Sequence, residues 1–548
     1  MTPEFQMKLL SSLAKVFPEE EPVYRPECLK LTALKNETVS FQAAVTCSGD
    51  SNQRCKLVIH SPIQQLLRAR SVELVPVGRA AREVTDDNYL KTESGLYPDL
   101  LRELDGGRFS VYSGKWHSIW LDVATDESTP AGTYPIEIRL ETDAGEPVCS
   151  ARTDITIYDA VLPQTALYHT EWFHTDCLAD YYHVAVFSEE HWQIIENFLE
   201  VYVLRGGNMI LTPIFTPPLD TAVGGERTTV QLVEITVENG VYHFQFDRLK
   251  RWVDLCLKHG IQFFEMAHLF TQWGATCAPK IVARVDGKEE KLFGWHTSAV
   301  GEYTKFLQAF LPALTGKLEE WGIGNRTFFH VSDEPGEHFE TFKAAKESLG
   351  ELLAGYPTLD ALSDYNFYRH GLVDHPIPGS NEIEPFLENH VPHLWTYYCC
   401  GQYLDVSNRF MAMPSARNRI YGTQLFKFDI EGILHWGFNF YNTQNSLAHI
   451  NPYEVTDAGY AFPAGDPFLV YPGADRRPEE SIRGMVFYQA LTDYRALKRL
   501  EALTSKEYVL NLMEEDLADP ITFRVYPKSD LYLLQLRNRV NREIARRV

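Results

Sequence analysis

The sequence predicts a multidomain chain: an N-terminal β-sandwich over residues 1–162, a (β/α)8 TIM-like barrel over residues 163–500, and a short helical C-terminal extension over residues 501–548. Three observations carry this expectation. A length of 548 residues exceeds what one hydrophobic core normally serves. From about Val23 to Val161 the pattern is one of short β-branched runs separated by Gly, Pro, Asp and Asn. After Pro163 strand-like runs alternate with long helical patterns.

In the first part, Val39 to Thr46, Cys55 to His60, Ser71 to Val75, Trp116 to Val123, Tyr134 to Glu141 and Ala151 to Tyr158 read as strands. No helical stretch lies between them, which favours a sandwich. Leu162-Pro163-Gln164 reads as the way out of this domain. In the second part, Leu167 to Phe173, Asn208 to Ile214, Ile261 to Ala267, Arg326 to Val331, Thr358 to Ser363, Val391 to Tyr398, Ile420 to Leu425 and Gly432 to Phe438 read as strands. Helices are expected over Glu189 to Leu204, Phe246 to Lys258, Tyr303 to Trp321 and Glu337 to Leu353. About eight such units suit a (β/α)8 barrel. A doubly wound open sheet is the runner-up, but no Gly-rich phosphate loop follows any of these strands. At the C-terminus, Leu533, Leu536, Val540 and Ile544 recur at helical spacing among Arg537, Arg539, Arg542, Arg546 and Arg547, the pattern of an amphipathic helix docking on an acidic body.

Composition narrows the function. A net charge of −23 argues against nucleic acid or an anionic membrane as partner, because both need a positive field. No apolar run approaches the roughly 20 residues that span a bilayer, and no signal peptide is visible at the N-terminus. Nine scattered cysteines, with only Cys399 and Cys400 adjacent, form neither a disulfide framework nor a CxxC pattern, so a reducing, cytoplasmic setting is expected. His169, His174, His183 and His191 near Cys177 match no common zinc spacing, and no metal or cofactor is expected. A Gly-x-Ser-x-Gly elbow is absent as well.

The chemistry concentrates at His330-Val331-Ser332-Asp333-Glu334-Pro335, two adjacent carboxylates where a strand stops at a proline. Paired acids at the C-terminal mouth of a barrel strand are what sugar-cleaving barrels use, although acids before proline also cap ordinary loops. Adjacent strand residues point to opposite faces, so both acids reach one substrate only if the strand ends there. The other predicted strand ends supply Trp172, His174 and Asp176, then Trp273, then Asp364 and Tyr365, then Trp395, Tyr397 and Tyr398, then Trp436. Aromatic faces beside hydrogen-bonding groups suit a saccharide. Trp172, His174, His330, Asp364, Tyr365, Trp395, Tyr397 and Trp436 are therefore expected to bind substrate around Asp333 and Glu334.

Several segments, taken in order, carry a resemblance: the Asp333-Glu334 run, Trp395-Thr396-Tyr397-Tyr398-Cys399-Cys400, Ile433-Leu434-His435-Trp436-Gly437, Gly465-Asp466-Pro467-Phe468-Leu469-Val470-Tyr471-Pro472-Gly473, and Ser481-Ile482-Arg483 with Leu491-Thr492-Asp493-Tyr494. With Asn36-Glu37-Thr38-Val39-Ser40-Phe41-Gln42 near the start, the chain resembles glycoside hydrolase family 123 from about residue 30 to 500. The resemblance implies a retaining β-N-acetylgalactosaminidase in which the substrate's 2-acetamido oxygen attacks C1. It assigns Glu334 as general acid/base and Asp333 as the group that orients the acetamido. Two alternatives stay open: a carbohydrate-binding protein without catalysis, and a glycosidase with two distant carboxylates, Asp364 or Asp176 being the nucleophile. The expected partner is an oligosaccharide or glycoconjugate, and oligomeric state is not legible.

Overall fold

The computed structural model describes residues 4–49, 52–164 and 166–548. Two antiparallel-rich sheets face each other near the N-terminus. The larger runs in the order Phe5–Ser11, Thr38–Cys47, His117–Ala124, Leu67–Val77, Gly95–Glu103, Pro478–Ser481 and Tyr471–Pro472. The smaller runs Leu31–Lys35, Pro147–Val161, Gly132–Glu141, Gln53–His60 and Arg108–Val111. Alternation decides which side chains enter the shared core: Phe41, Ala43 and Val45 from one sheet meet Ile136, Ile138 and Leu140 from the other. Each of the six strands expected here is present. The other six were not legible, and Gly95–Glu103 shows why, since Pro98 interrupts it and sits opposite a shift in register between Glu73 and Leu74.

The outer face of the larger sheet is buried rather than wet. Arg70, 1 % exposed, is held between Asp122 and Glu480, and Glu480 also takes Arg205. Three arginines clustered on Glu480 outweigh its burial and hold its carboxyl well below the usual range. The network ties the sheet to Arg205, which caps the Glu189–Leu204 helix. Truncating one partner would leave a buried charge unpaired.

Beyond Pro163, eight short strands form a parallel set, Tyr168–Glu171, Met209–Thr212, Phe263–Met266, Thr327–Phe329, Leu359–Ala361, His375–Ile377, Trp395–Tyr397 and Gly432–His435, and a separate four-stranded sheet of Glu234–Glu238, Val241–Gln245, Ile281–Val285 and Lys288–Phe293 is inserted after the second and third. Each of the eight is parallel to the neighbours it pairs with. Parallel bridges Phe329 to Thr358 and Gly379 to Tyr397 join the pieces, and Asn208 N donates to His169 O at 3.2 Å. The links thus return to the first strand, and the C-terminal ends share one edge. Helices alternate with the strands, among them Glu189–Leu204, Asp247–His259, Glu302–Glu320 and Phe339–Leu349.

One expected strand is corrected. Ile420 to Leu425 lies in helical structure, with Tyr421–Lys427 packed on the long Ile482–Leu503 helix. Gly422 permits this, because a Cβ there would sit 1.9 Å from Ala490 O. The missing strand is His375–Ile377, three residues with a central proline that carry little strand signal.

The C-terminal Asp530–Ala545 helix lies against Leu31–Lys35 and Pro147–Val161, burying Leu533, Leu536, Val540 and Ile544. Its Arg537 pairs with Glu37 and Asp493. Among the described residues no helix is long and apolar enough to cross a membrane.

Candidate active site

The acid pair sits just past the Thr327–Phe329 strand, on a segment pinned from several sides. Asp360 accepts the N–H groups of Val331 at 3.0 Å and Ser332 at 3.3 Å, and its Oδ1 also meets His330 Nδ1 at 3.3 Å. Ser332 Oγ donates to Thr271 O at 2.9 Å, Trp273 N to Asp333 O at 2.9 Å, and Glu334 N to Ala361 O at 3.0 Å. Glu334 itself has a left-handed backbone, φ 41°. A non-glycine residue there stores about 1–3 kcal/mol, which the surrounding hydrogen bonds must hold in place. The acids lie in irregular chain past the strand end, where strand alternation no longer applies, and consecutive carboxylates line the same cavity.

That cavity, about 230 Å³, opens at the C-terminal ends of the eight strands. Its walls are aromatic: Trp172, Tyr397 and Trp436, with Trp273 at the mouth, 37 % exposed. Tyr397 Oη donates to Glu334 Oε1 at 2.8 Å, and Gln272 Nε2 reaches Asp333 Oδ2 at 3.4 Å. Asp466 fixes the Trp436 indole by accepting its N–H at 2.9 Å. The buried indole N–H of Trp172 has no protein acceptor.

Burial pushes the acids here upward. Asp333 is raised well above the ordinary range, by desolvation and then by the Glu334 charge, with His330 opposing. Desolvation raises Glu334 too, against the donated phenol of Tyr397. Asp220, also lining the cavity, is raised by burial to about 6, and Asp466, buried behind Trp436, to about 7. His330 is fully buried between Glu265 at 2.8 Å and Asp360. Desolvation opposes its charge, but those two carboxylates win and lift it to about 9. The His330 charge acts on Asp333 against burial, lowering its pKa.

The structure brings Asp333, Glu334, Trp172, Tyr397 and Trp436 into one cavity and puts the other expected ligands elsewhere. His174 is buried with both ring nitrogens used: Nε2 donates to Trp436 O at 2.8 Å and Nδ1 accepts from Arg227 at 3.0 Å. It supports Trp436 from behind. His330 is outside the cavity lining. Asp364 is exposed and caps the Tyr365–Arg369 helix by accepting from Asn366 N. Tyr365 packs edge-on against Phe386. Trp395, 1 % exposed, stacks on Tyr168 deep among the strands. Asp176 is engaged by Arg227 in a buried ion pair. Asp220, Gln272, Cys399, Cys400, Gln444 and Phe462 line the cavity without having been expected there. Asp220 lies eight positions past the Met209–Thr212 strand in an irregular loop, beyond the reach of strand-end reasoning.

His268, His330 and Asp360 bring ligand atoms within 4.8 Å of one another. The two imidazoles stack face to face, centroids 4.1 Å apart at 19°. Ring nitrogens bind metal in the ring plane, so this stacked pair suits a charged stack better than a shared ion.

A parallel-strand body with paired buried acids in an aromatic cavity, flanked by a sandwich, defines the class of carbohydrate-cleaving enzymes. Residues 172–500 match the family model described as glycoside hydrolase 123, catalytic domain. The chain belongs to glycoside hydrolase family 123. Among solved structures it is similar to a family 123 glycoside hydrolase from Clostridium perfringens, analysed for glycolipid glycan hydrolysis, at 16% identity and TM-score 0.76, covering 99% of each chain. A β-glucuronidase from Parabacteroides merdae matches at 11% identity and TM-score 0.31, over 90% of this chain and 52% of that one. The type III pullulan hydrolase from Thermococcus kodakarensis matches at 11% identity and TM-score 0.29, over 88% of each. These last two superpose too loosely to bear on the fold. Comparison with curated proteins returned no match.

Proposed function

We propose that the protein hydrolyses β-linked 2-acetamido-2-deoxy sugars, N-acetylgalactosamine foremost, with retention, using the substrate's acetamido oxygen as nucleophile. The observation that carries this reading is the pair of consecutive acids, Asp333 and Glu334, lining one cavity. A conventional retaining pair instead brackets the bond with carboxyls about 5 Å apart. With an internal nucleophile, one acid serves the leaving group and the other the acetamido.

Glu334 would donate its proton to the glycosidic oxygen as the acetamido oxygen closes on C1 and the bond to the aglycone breaks. Asp333 would accept the amide N–H and stabilise the oxazolinium. Glu334, now a carboxylate, would take a proton from the water that attacks C1 and reopens the ring. Both acids are raised, Asp333 the more strongly. An amide N–H donated to Asp333 favours its charged form, as does the His330 charge, and leaves the proton on Glu334. Trp436 would stack on the sugar, and the free indole N–H of Trp172 would meet an oxygen of the ligand.

A second reading rests on Asp220, a further carboxylate lining the same cavity, as a conventional nucleophile. A thiazoline mimic of the oxazolinium separates the two. Tight binding that Asp333→Asn abolishes supports substrate assistance, whereas no binding alongside cleavage of sugars lacking the acetamido supports Asp220.

The same reading takes the ring of parallel strands as a (β/α)8 barrel, with a domain limit after residue 162, whereas the limit expected after residue 500 falls inside the Ile482–Leu503 helix and moves to its end. It places the protein in the cytoplasm, in keeping with nine cysteines that are all unpaired.

A further inference from the structure

Cys399 and Cys400 are consecutive, half-buried, and both line the sugar cavity beside Glu334 and Tyr397. The adjoining Cys400 side chain and burial push the Cys399 thiol up. The turn that carries them is clamped from behind: Gln402 N donates to Cys399 O at 3.1 Å, and Gln402 Oε1 accepts from Cys399 N at 2.8 Å. Asn408 Nδ2 donates to Cys399 O at 2.9 Å and Arg82 Nε to Cys400 O at 3.0 Å. Glycoside hydrolysis by two carboxylates gives neither thiol a task. The other seven cysteines line no part of this cavity.

We propose that Cys399 and Cys400 are a redox modification site, closed by a small-molecule disulfide into a vicinal disulfide that switches off the adjoining sugar pocket. One thiol, as thiolate, attacks a sulfur of the small disulfide and expels a thiolate, leaving a mixed disulfide on the protein. The second thiol then attacks the protein-bound sulfur and expels the other thiolate. The protein loses two electrons and two protons, and one small disulfide becomes two thiols. Consecutive Cα atoms lie about 3.8 Å apart, short of the roughly 4.4–6.8 Å common in disulfides. The closed ring is therefore strained, and strained disulfides are the readily reduced, regulatory kind. Closure must turn the Cys399–Cys400 peptide, two residues from Tyr397, whose phenol holds Glu334. The inhibitory consequence rests on the catalytic reading above, whereas the chemistry of the thiols does not.

The test treats the full chain with oxidised glutathione. Trypsin releases residues 370–409 as one peptide, with Cys399 and Cys400 its only cysteines. The expected product is that peptide lighter by two hydrogen atoms and closed to iodoacetamide until dithiothreitol is added. Turnover of an aryl glycoside should fall about tenfold or more and return on reduction. Cys400→Ser should lose this response whatever its starting rate. A peptide that keeps two alkylatable thiols, or carries only glutathione adducts, overturns the proposal, and so does a closed disulfide with unchanged turnover. If the reduced protein cleaves no glycoside, the catalytic reading fails instead. The peptide mass then decides the site, and fluorescence of the cavity tryptophans reports whether closure reshapes the pocket.

Discussion

The Tyr397 phenol donates to Glu334 Oε1 across 2.8 Å, joining the ends of two strands that are separated in the ring by Leu359–Ala361 and His375–Ile377. The contact ties the acid to a rigid strand and favours its charged form, against the desolvation that raises it. Tyr397→Phe should therefore raise the pKa of Glu334. An acid with a raised pKa keeps its proton to higher pH, so the alkaline limb of kcat/KM should move upward. A lost hydrogen bond to a charged group costs about 1.5–3 kcal/mol, or roughly 10–100-fold in rate if it operates in the transition state. A pH–rate profile of wild type and variant checks both effects.

His330 makes stability depend on pH. Its folded pKa of about 9 lies above the ordinary value of 6.5, so its contribution is complete below 6.5 and is lost as pH rises through 9. The shift corresponds to about 3 kcal/mol for a group this buried. Denaturant unfolding at pH 6.5 and 9.5 should show that loss in wild type, and His330→Gln should flatten it while lowering stability at both.

Asp360 holds the backbone of the acid loop through Val331 and Ser332. Asp360→Asn exchanges one acceptor oxygen for a donor and breaks a buried charge pair, which costs about 3–5 kcal/mol. It should also relax the left-handed Glu334, so kcat should fall more than KM rises. Thermal melting together with steady-state kinetics separates the two losses.

Gly422→Ala tests the helical packing at 421–427. The new methyl meets the Ala490 carbonyl and forces the two helices apart, at about 1–3 kcal/mol. The melting midpoint should drop while activity per folded molecule at low temperature stays close to wild type.

How far the sequence revealed this molecule depends on where the signal lay. The sandwich strands were legible because one face of each is buried, and alternation marks it. Strands of three or four residues buried on both faces carry no such mark, so Ile420 to Leu425 and His375–Ile377 exchanged roles. Asp333 and Glu334 were legible as a pair, but the strand stops at Phe329, so the proline after them does not mark its end. Glu334's backbone twist was not legible, since nothing in its residue type announces a positive φ. His330 lies three residues before Asp333 yet takes no part in the cavity, because just past the strand end it is buried between Glu265 and Asp360. Trp395 and Tyr397 share a strand of three residues, yet one packs among the strands and the other reaches the cavity. Depth along the strand, which sequence spacing does not give, decides between them.

The measurement that bears most directly on the central claim is hydrolysis of aryl β-glycosides of N-acetylgalactosamine, N-acetylglucosamine, galactose and glucose by wild type, Asp333→Asn and Glu334→Gln. Substrate assistance predicts turnover confined to the acetamido sugars, reduced about 10²–10⁴-fold by loss of the general acid and strongly by loss of Asp333. Comparable cleavage of galactose or glucose, or full activity in Glu334→Gln, would contradict it.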